Sequence, residues 1–296
     1  MSEPLPPTET VDEATRGLDR LATPELVATL TRAQSRALAA VEAATPQIAR
    51  AVDEIAKRLE AGGTLHYVGA GTSGRLGALD AAEAPPTFGT PPSLVRAHIA
   101  GGPQAFSTAV EGAEDDRIAA AHDLAAHLRH GDVVVGISAS GGPPYVVAAL
   151  ELARAAGAFA IAVTSAPESP LSRAAHLTIL LETGPEPLAG STRLVAGTAQ
   201  KLVLNALSTA TMVRLGKVYD NLMVDLIATN EKLRRRALRL VKELTGAPES
   251  AARDALASAG GSVKVAVVML RQGLDARKAA DALAAHGGSL RAALEA

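Results

Sequence analysis

The sequence contains no cysteine and no tryptophan, and only 2% of its 296 residues are aromatic. The absence of cysteine excludes disulfides, thiolate nucleophiles and cysteine-bound zinc, and it is consistent with a cytoplasmic protein. So few aromatic rings disfavour stacking on single-stranded nucleic acid, and the formal net charge of -2 disfavours general DNA binding. No apolar run approaches the ~20 residues that span a bilayer. We therefore expect a protein that binds neither nucleic acid nor membrane.

The stretch 65–89, LHYVGAGTSGRLGALDAAEAPPTFG, has the pattern of a strand, a tight turn and a helix. Gly69, Gly71 and Gly74 permit positive φ and close approach of a ligand to the backbone. The first turn of the following helix offers unpaired N–H groups and the positive end of the helix dipole. The turn is therefore predicted to bind an anion.

The glycine spacing also fits the G-x-G-x-x-G turn of dinucleotide-binding proteins, which is a weak signal on its own. That fold uses an acidic residue about 20 positions later, at the end of a second strand, to bind the ribose. The next predicted strand, 94–99, carries Arg96 and His98 and no acid. The adjacent hydroxyls of Thr72 and Ser73 favour a compact phosphate monoester over a dinucleotide.

The same pattern recurs further along the chain. Residues 133–140, VVVGISAS, form an apolar run of the kind buried in parallel sheets, and Ser138, Ser140 and Gly141 end it. Further strands are predicted at 159–165 and 177–182. Loops of this kind meet at the carboxyl ends of parallel strands, so they are predicted to converge on one crevice.

A third pair of hydroxyls, Ser191 and Thr192, lies near the start of a long helix that is expected to continue to about residue 215. Helical patterns precede the first strand, and short helical patterns separated by glycines follow residue 248. The fold class predicted from this order is α/β, with a doubly wound and mostly parallel sheet, amino-terminal helices and a small carboxyl-terminal helical bundle.

Two carboxylates are candidates for acid–base chemistry, and the residues alone leave both roles open. Glu83 lies at the end of the first loop's helix, before Pro85, where a catalytic and a structural role are about equally favoured. Glu114 belongs to the acidic group 111–116 at the start of a helix predicted over 114–129, where complementing the helix dipole is the favoured role. The seven histidines lack metal-binding spacing, so no metal site is predicted.

Longer motifs add a resemblance to a known family. They are GAGTSGRLGALDAAEAPPTFGTP, AGGPQAFSTAVEGAEDD, GISASG, and GPEPLAGSTR with the later AGTAQKLVLNALSTATMVRLGKVYDNLMVDL. Together they resemble the N-acetylmuramic acid 6-phosphate etherase family, and the match extends from Asp19 to the carboxyl-terminal helices. That family belongs to the sugar isomerase (SIS) group, which includes the glucokinase regulatory protein as a relative.

The resemblance implies hydrolysis of the lactyl ether of N-acetylmuramate 6-phosphate to N-acetylglucosamine 6-phosphate and D-lactate, in bacterial cell-wall recycling. It implies no metal or organic cofactor and a homodimer with the site near the subunit boundary. It assigns the general acid to Glu83 and the general base to Glu114. The candidate substrate- and phosphate-binding residues are those of the three loops, Gly71, Thr72, Ser73, Ser138, Ser140, Gly141, Ser191 and Thr192.

The chain departs from the family pattern at two places. Gly142 and Pro143 follow GISASG where the family usually has Arg-Thr, and Val195 stands where it usually has lysine. Both departures bear on substrate affinity more than on reaction type, because the two carboxylates and the two serines of the second loop remain, Glu83, Glu114, Ser138 and Ser140.

The resemblance also suggests a division of the chain into four parts. They are an amino-terminal tail with helices at 1–50, a SIS sugar-phosphate-binding domain at 51–220, a connecting helix at 221–247 and a UBA-like helical bundle at 248–296.

If residues 72–83 form one helix, its ends lie roughly 16 Å apart at 1.5 Å per residue, longer than one hexose phosphate. Either the helix is broken or Glu83 reaches the site from a neighbouring subunit.

Two other functions fit the same pocket. One is a non-catalytic sugar-phosphate sensor like the glucokinase regulatory protein, and the other is a sugar-phosphate isomerase, which needs only one base. Retention of both carboxylates and the length of a single SIS domain favour the etherase. Release of D-lactate from the muramate phosphate distinguishes all three.

Overall fold

The computed structural model describes residues 6–228 and 230–296, so the first five residues of the predicted amino-terminal tail lie outside the described residues. In this part of the chain, five parallel strands form one sheet in the order β2-β1-β3-β4-β5. The strands are β1 Leu65–Gly69, β2 Val95–Ile99, β3 Val133–Ile137, β4 Phe159–Thr164 and β5 Leu177–Leu180. The predicted doubly wound parallel sheet is confirmed.

Helices occupy most of the remaining chain. Before and between the strands they are α1 Thr23–Ala33, α2 Ser35–Ala43, α3 Thr45–Glu60, α4 Gly71–Phe88, α5 Arg117–Ala125, α6 Pro144–Ala155, α7 Pro170–Ala174 and α8 Val195–Arg214. A small antiparallel pair follows, β6 Val218–Tyr219 with β7 Leu222–Met223. The last helices are α9 Glu231–Thr245, α10 Glu249–Ser258, α11 Val263–Gln272, α12 Ala276–Ala285 and α13 Leu290–Glu295. None of the helices in the described residues has both the length and the apolar character to cross a bilayer.

The chain forms two compact units. The first comprises Met1–Ala81 with Ser93–Ser208, and the second comprises Ala82–Pro92 with Thr209–Ala296. These two units are defined by compactness alone and do not correspond to the four parts suggested by the family resemblance. The four-part division stays a prediction.

Each unit has its own apolar core. In the first, α6 packs on the sheet through fully buried side chains that include Val134, Tyr145, Leu150 and Leu171. In the second, the core contains residues of the carboxyl-terminal helices and of α9, among them Leu240, Val241, Val267, Leu283 and Leu290. Helix α9 therefore shares one apolar core with the carboxyl-terminal helices.

A buried polar network joins β1, β2 and the residue before β3. His66 has no solvent exposure, and its Nδ1 lies 3.0 Å from Nε2 of His98 while its Nε2 lies 3.3 Å from Oδ2 of Asp132. Asp132 also accepts the backbone N–H groups of Thr64 and Arg129, each at 2.7 Å. Burial lowers the pKa of both histidines to about 4, although Asp132 acts to raise that of His66.

We expect this network to make the fold sensitive to mild acid. Histidines in the unfolded chain titrate near pH 6.5, so between about pH 6.5 and about pH 4 the unfolded state binds more protons than the folded state. Stability is therefore present above this window and is lost as the pH falls through it, by up to about 1.4 kcal/mol per pH unit for each histidine.

Urea unfolding at about pH 7 and about pH 5 measures this dependence. His98→Gln should flatten it, because one of the two titrating groups is removed. His122→Gln is the control, since that side chain is 90% exposed, and it should leave the slope unchanged. An unaltered slope in His98→Gln would contradict the prediction.

Candidate functional site

The strand order places the first two predicted loops side by side. The connections from β1 and β3 leave the sheet in opposite directions, so the edge between these two strands is the topological switch point where ligands bind in open α/β sheets. Gly69, the last residue of β1, is paired with Ile137, the last residue of β3. The glycine loop, residues 70–74, and the serine loop, residues 138–142, therefore begin at neighbouring positions on the same edge.

The three glycines of the first loop have different structural roles. Gly71 alone has a positive φ, 51°. A β-carbon at Gly74 would lie 2.6 Å from Cγ1 of Ile99 and 2.7 Å from the carbonyl oxygen of Gly69, and one at Gly69 would lie 2.6 Å from the nitrogen of Gly74. Gly69 and Gly74 thus allow the start of α4 to approach the sheet, and only Gly71 uses the left-handed conformation that we considered for all three.

The glycine loop is held by α8. Ser73 Oγ donates to Oε1 of Gln200 at 2.9 Å, and Gln200 is buried with its Nε2 unpaired among the described residues. A β-carbon at Gly197 would lie 3.5 Å from Cγ2 of Thr72 and 3.2 Å from the carbonyl oxygen of Thr192. The first and third hydroxyl pairs are therefore brought close together. The sequence does not indicate a role for Gln200, because this residue lies 127 positions from Ser73 and belongs to no motif shared with it.

The serine loop turns back on itself. The N–H of Gly141 donates to Ser138 Oγ at 3.1 Å, and the N–H of Gly142 donates more weakly to Ser140 Oγ at 3.4 Å. Gly141 has φ 66°, and a β-carbon there would lie 2.3 Å from Ser169 Oγ. Both serine hydroxyl oxygens act as acceptors in these turns, so their protons are available to donate to a phosphate oxygen.

The amino terminus of α8 is closed to an external anion. Glu186 is buried, and its two carboxylate oxygens accept the N–H groups of Val195 and Ala196 at 2.8 and 2.9 Å. This carboxylate supplies the negative charge that the helix dipole favours. Ser191 and Thr192 precede this turn and are half-buried, so they offer side chains to a ligand but not the end of the helix.

The two catalytic candidates lie in different compact units, Glu83 in the second and Glu114 in the first. Glu83 lies within α4, and Glu114 lies in a 3-10 turn, Ala113–Asp115. Both side chains are exposed, and neither has a hydrogen bond or an ion pair with any other described residue.

The helix predicted over 114–129 begins only at Arg117, because Asp116 is its N-cap. Asp116 Oδ1 accepts the N–H groups of Ile118 and Ala119, both at 2.9 Å. The structural role that composition favoured for Glu114 therefore belongs to Asp116.

Family comparisons define the class of the protein. The chain matches the glucokinase regulatory protein N-terminal SIS domain over residues 47–154 and the SIS domain over residues 107–210. A phosphoheptose isomerase from Francisella tularensis aligns with a TM-score of 0.50 and 19% identity, covering 65% of this chain and 100% of that one. This likeness shows the fold alone. The sheet and its loops are those of a SIS-domain protein.

Sequence relatives define the family. An N-acetylmuramic acid 6-phosphate etherase from Symbiobacterium thermophilum is 58% identical over 257 residues, which is 87% of this chain and 86% of the relative. Another from Salmonella agona is 52% identical over 289 residues, 97% of each chain. The chain belongs to the N-acetylmuramic acid 6-phosphate etherase family. Identity of this extent along nearly the whole chain does not favour the sensor function of the glucokinase regulatory protein.

The different surroundings of Asp116 and Glu114 give a stability prediction. Asp116→Ala removes the N-cap of α5 and should lower the free energy of unfolding by about 0.5–2 kcal/mol. Glu114→Ala removes no hydrogen bond and should change it by less than about 0.5 kcal/mol. Denaturant unfolding of the two variants measures both values. A loss in Glu114→Ala as large as that in Asp116→Ala would show a structural role for Glu114.

Proposed function

We propose that this chain cleaves the D-lactyl ether of N-acetylmuramic acid 6-phosphate, with Glu83 as general acid and Glu114 as general base. The observation that carries the proposal is the identity of 52–58% to etherases along nearly the whole chain. The geometry supports the residue roles, because both carboxylates are exposed and lack structural partners among the described residues. The reaction belongs to the cytoplasm and to recycling of cell-wall amino sugars. Release of D-lactate from the muramate phosphate by the purified protein is the direct test.

The chemistry requires two groups in different protonation states. An ether resists direct attack, but in the open-chain sugar the C2 proton is α to an aldehyde and acidic enough for a positioned base. Glu114, ionised, takes this proton, and Glu83, protonated, donates to the oxygen of lactate as the C3–O bond breaks. This elimination leaves an unsaturated aldehyde, which is the intermediate of the overall reaction. Glu83, now ionised, activates the water that adds to C3, and the proton returns to C2.

The loops at the switch point hold the phosphate. The hydroxyls of Ser138 and Ser140 donate to its oxygens from one side, and that of Thr72 does so from the other. The single hydroxyl proton of Ser73 is donated to Gln200, so this side chain holds the loop in place. The main-chain N–H groups at the start of α4 and the dipole of that helix favour the dianion. Because the phosphate is remote from C2 and C3, these contacts persist through the reaction and contribute to substrate binding.

The site is completed in a homodimer. Helix α4 is continuous from Gly71 to Phe88 despite Pro85 and Pro86, so the alternative of a broken helix does not apply. At 1.5 Å per residue, Thr72 and Glu83 lie roughly 16 Å apart along it. In this proposal one subunit supplies the phosphate loops and Glu114 to a site, and the other supplies Glu83.

Deuterium exchange separates the two carboxylates. Glu83→Ala, incubated with N-acetylglucosamine 6-phosphate in deuterium oxide, should still incorporate deuterium at C2, because enolisation needs only the base. Glu114→Ala should lose this exchange, and both variants should lose about 10²- to 10⁴-fold in lactate release. Nuclear magnetic resonance of the sugar measures the exchange. Exchange that survives only in Glu114→Ala would reverse the assignment.

Mixing the two inactive variants tests the shared site. After subunit exchange, half of the dimers contain one subunit of each variant, and one of their two sites has both native carboxylates. We expect recovery of roughly a quarter of the native activity, as two-fold symmetry requires. The control is Glu83→Ala mixed with itself. No recovery in the mixture, with mixed dimers shown by two different tags, would place both carboxylates of a site in one subunit.

A further inference from the structure

Arg75 follows the glycine loop directly and lies in the first turns of α4. An arginine in this position would ordinarily be assigned to the phosphate, because its planar fork suits phosphate oxygens. In the structure its guanidinium is turned to the main chain instead. Nε donates to the carbonyl oxygens of Ala105 at 2.9 Å and Phe106 at 3.3 Å, and Nη2 donates to that of Thr108 at 3.1 Å.

The segment that receives these bonds has little else to hold it. Residues 101–110 form the base loop, which is exposed except for buried Ala105 and half-buried Gly102. Within it, residues 107 and 108 donate hydrogen bonds to the carbonyl oxygen of Gln104, as in a short turn. Even Phe106 is 46% exposed. Segments with few buried apolar contacts open at low free-energy cost. The guanidinium therefore adds three long-range hydrogen bonds to the middle of the base loop.

The base loop leads to Glu114 through a continuous series of contacts. Its two ends meet where a β-carbon at Gly101 would lie 2.9 Å from Cβ of Val110. The carbonyl oxygen of Val110 accepts the N–H of Ala113 at 3.3 Å, and Ala113 packs against the apolar core. Glu114 is the next residue. These contacts connect the base loop to the backbone that carries this carboxylate.

We propose that Arg75 is a positioning residue for Glu114, fixing the base loop so that the carboxylate stands at the C2 proton. This inference rests on the proposed function, in which Glu114 is the base. It also explains why the residue is arginine. A guanidinium reaches three carbonyl oxygens in a fixed geometry through Nε and Nη2, whereas the single ammonium of lysine has no such fork.

Kinetics of Arg75→Ala and Arg75→Lys test the role. In Arg75→Ala, kcat for lactate release and the rate of deuterium exchange at C2 should fall together by about 10- to 100-fold, the cost of a misplacement near 1 Å. KM for the muramate phosphate should change less than about threefold, because the phosphate loops are intact. Arg75→Lys should recover part of the loss, and added guanidinium ion should raise the activity of Arg75→Ala but not that of the native protein.

Arg154→Ala is the matched control. Arg154 also donates to main-chain carbonyl oxygens, those of Ala174 and Ala175 at 3.5 and 3.3 Å. Its loss should leave kcat, KM and the exchange rate unchanged. A large rise in KM with unchanged kcat in Arg75→Ala would overturn the proposal by making Arg75 a phosphate ligand. Equal effects of Arg75→Ala and Arg154→Ala would overturn it as well, since both would then report general stability.

Amide hydrogen exchange distinguishes failure of this inference from failure of the proposed function. If the native protein releases no lactate, the proposed function is wrong, but the placement of Arg75 still has a readout. Amides in the peptide 102–114 should exchange at least about tenfold faster in Arg75→Ala than in the native protein, and Arg154→Ala should leave them unchanged. Unchanged exchange in Arg75→Ala would show that the base loop is held by other contacts.

Discussion

The approach of α4 to the sheet is the constraint on which the candidate site depends. At Gly74 and Gly77 the helix has no room for a side chain of its own, since a β-carbon at Gly74 would lie 2.7 Å from the carbonyl oxygen of Gly69 and one at Gly77 would lie 2.9 Å from Cβ of Tyr67. Because the helix begins so close to the strand end, its free N–H groups lie at the switch point. The same placement puts Ser73 against Gln200 and turns Arg75 toward the base loop.

The carboxylates of the first unit show which acids the fold itself requires. Asp116, Asp132 and Glu186 each accept two backbone N–H groups, so each satisfies donors that burial or a helix end would leave unpaired. Glu114 has no such bond among the described residues and remains exposed. A carboxylate without a structural partner can turn toward a ligand without breaking a hydrogen bond of the fold. That freedom is what a general base needs.

The strands and both phosphate-type loops were predictable because apolar runs and glycines act locally. The different roles of Gly69, Gly71 and Gly74 could not be predicted. A position that requires close packing and a position that requires positive φ are both occupied by glycine, so the sequence does not distinguish them. Two hydrogen-bond partners were also hidden. Gln200 is far from Ser73 in the chain, and Glu186 does not stand in a recognisable capping pattern with Val195 and Ala196. The start of α5 was misplaced by three residues because 111–116 contains several acids, and only the backbone geometry shows that Asp116 is the cap.

The two positions that depart from the family pattern have different surroundings in the structure. Val195 is fully buried, and its N–H is bonded to Glu186, so a lysine there would have its side chain start in the interior rather than in the crevice. Gly142 is exposed, and a β-carbon there would meet only Ser140 Oγ at 3.7 Å. Side chains at position 142 are therefore accommodated without displacing Ser138 or Gly141. Gly142 therefore lies beside the serine loop, whereas Val195 belongs to the amino terminus of α8, where Glu186 accepts its N–H. An effect of both departures on substrate affinity stays a prediction.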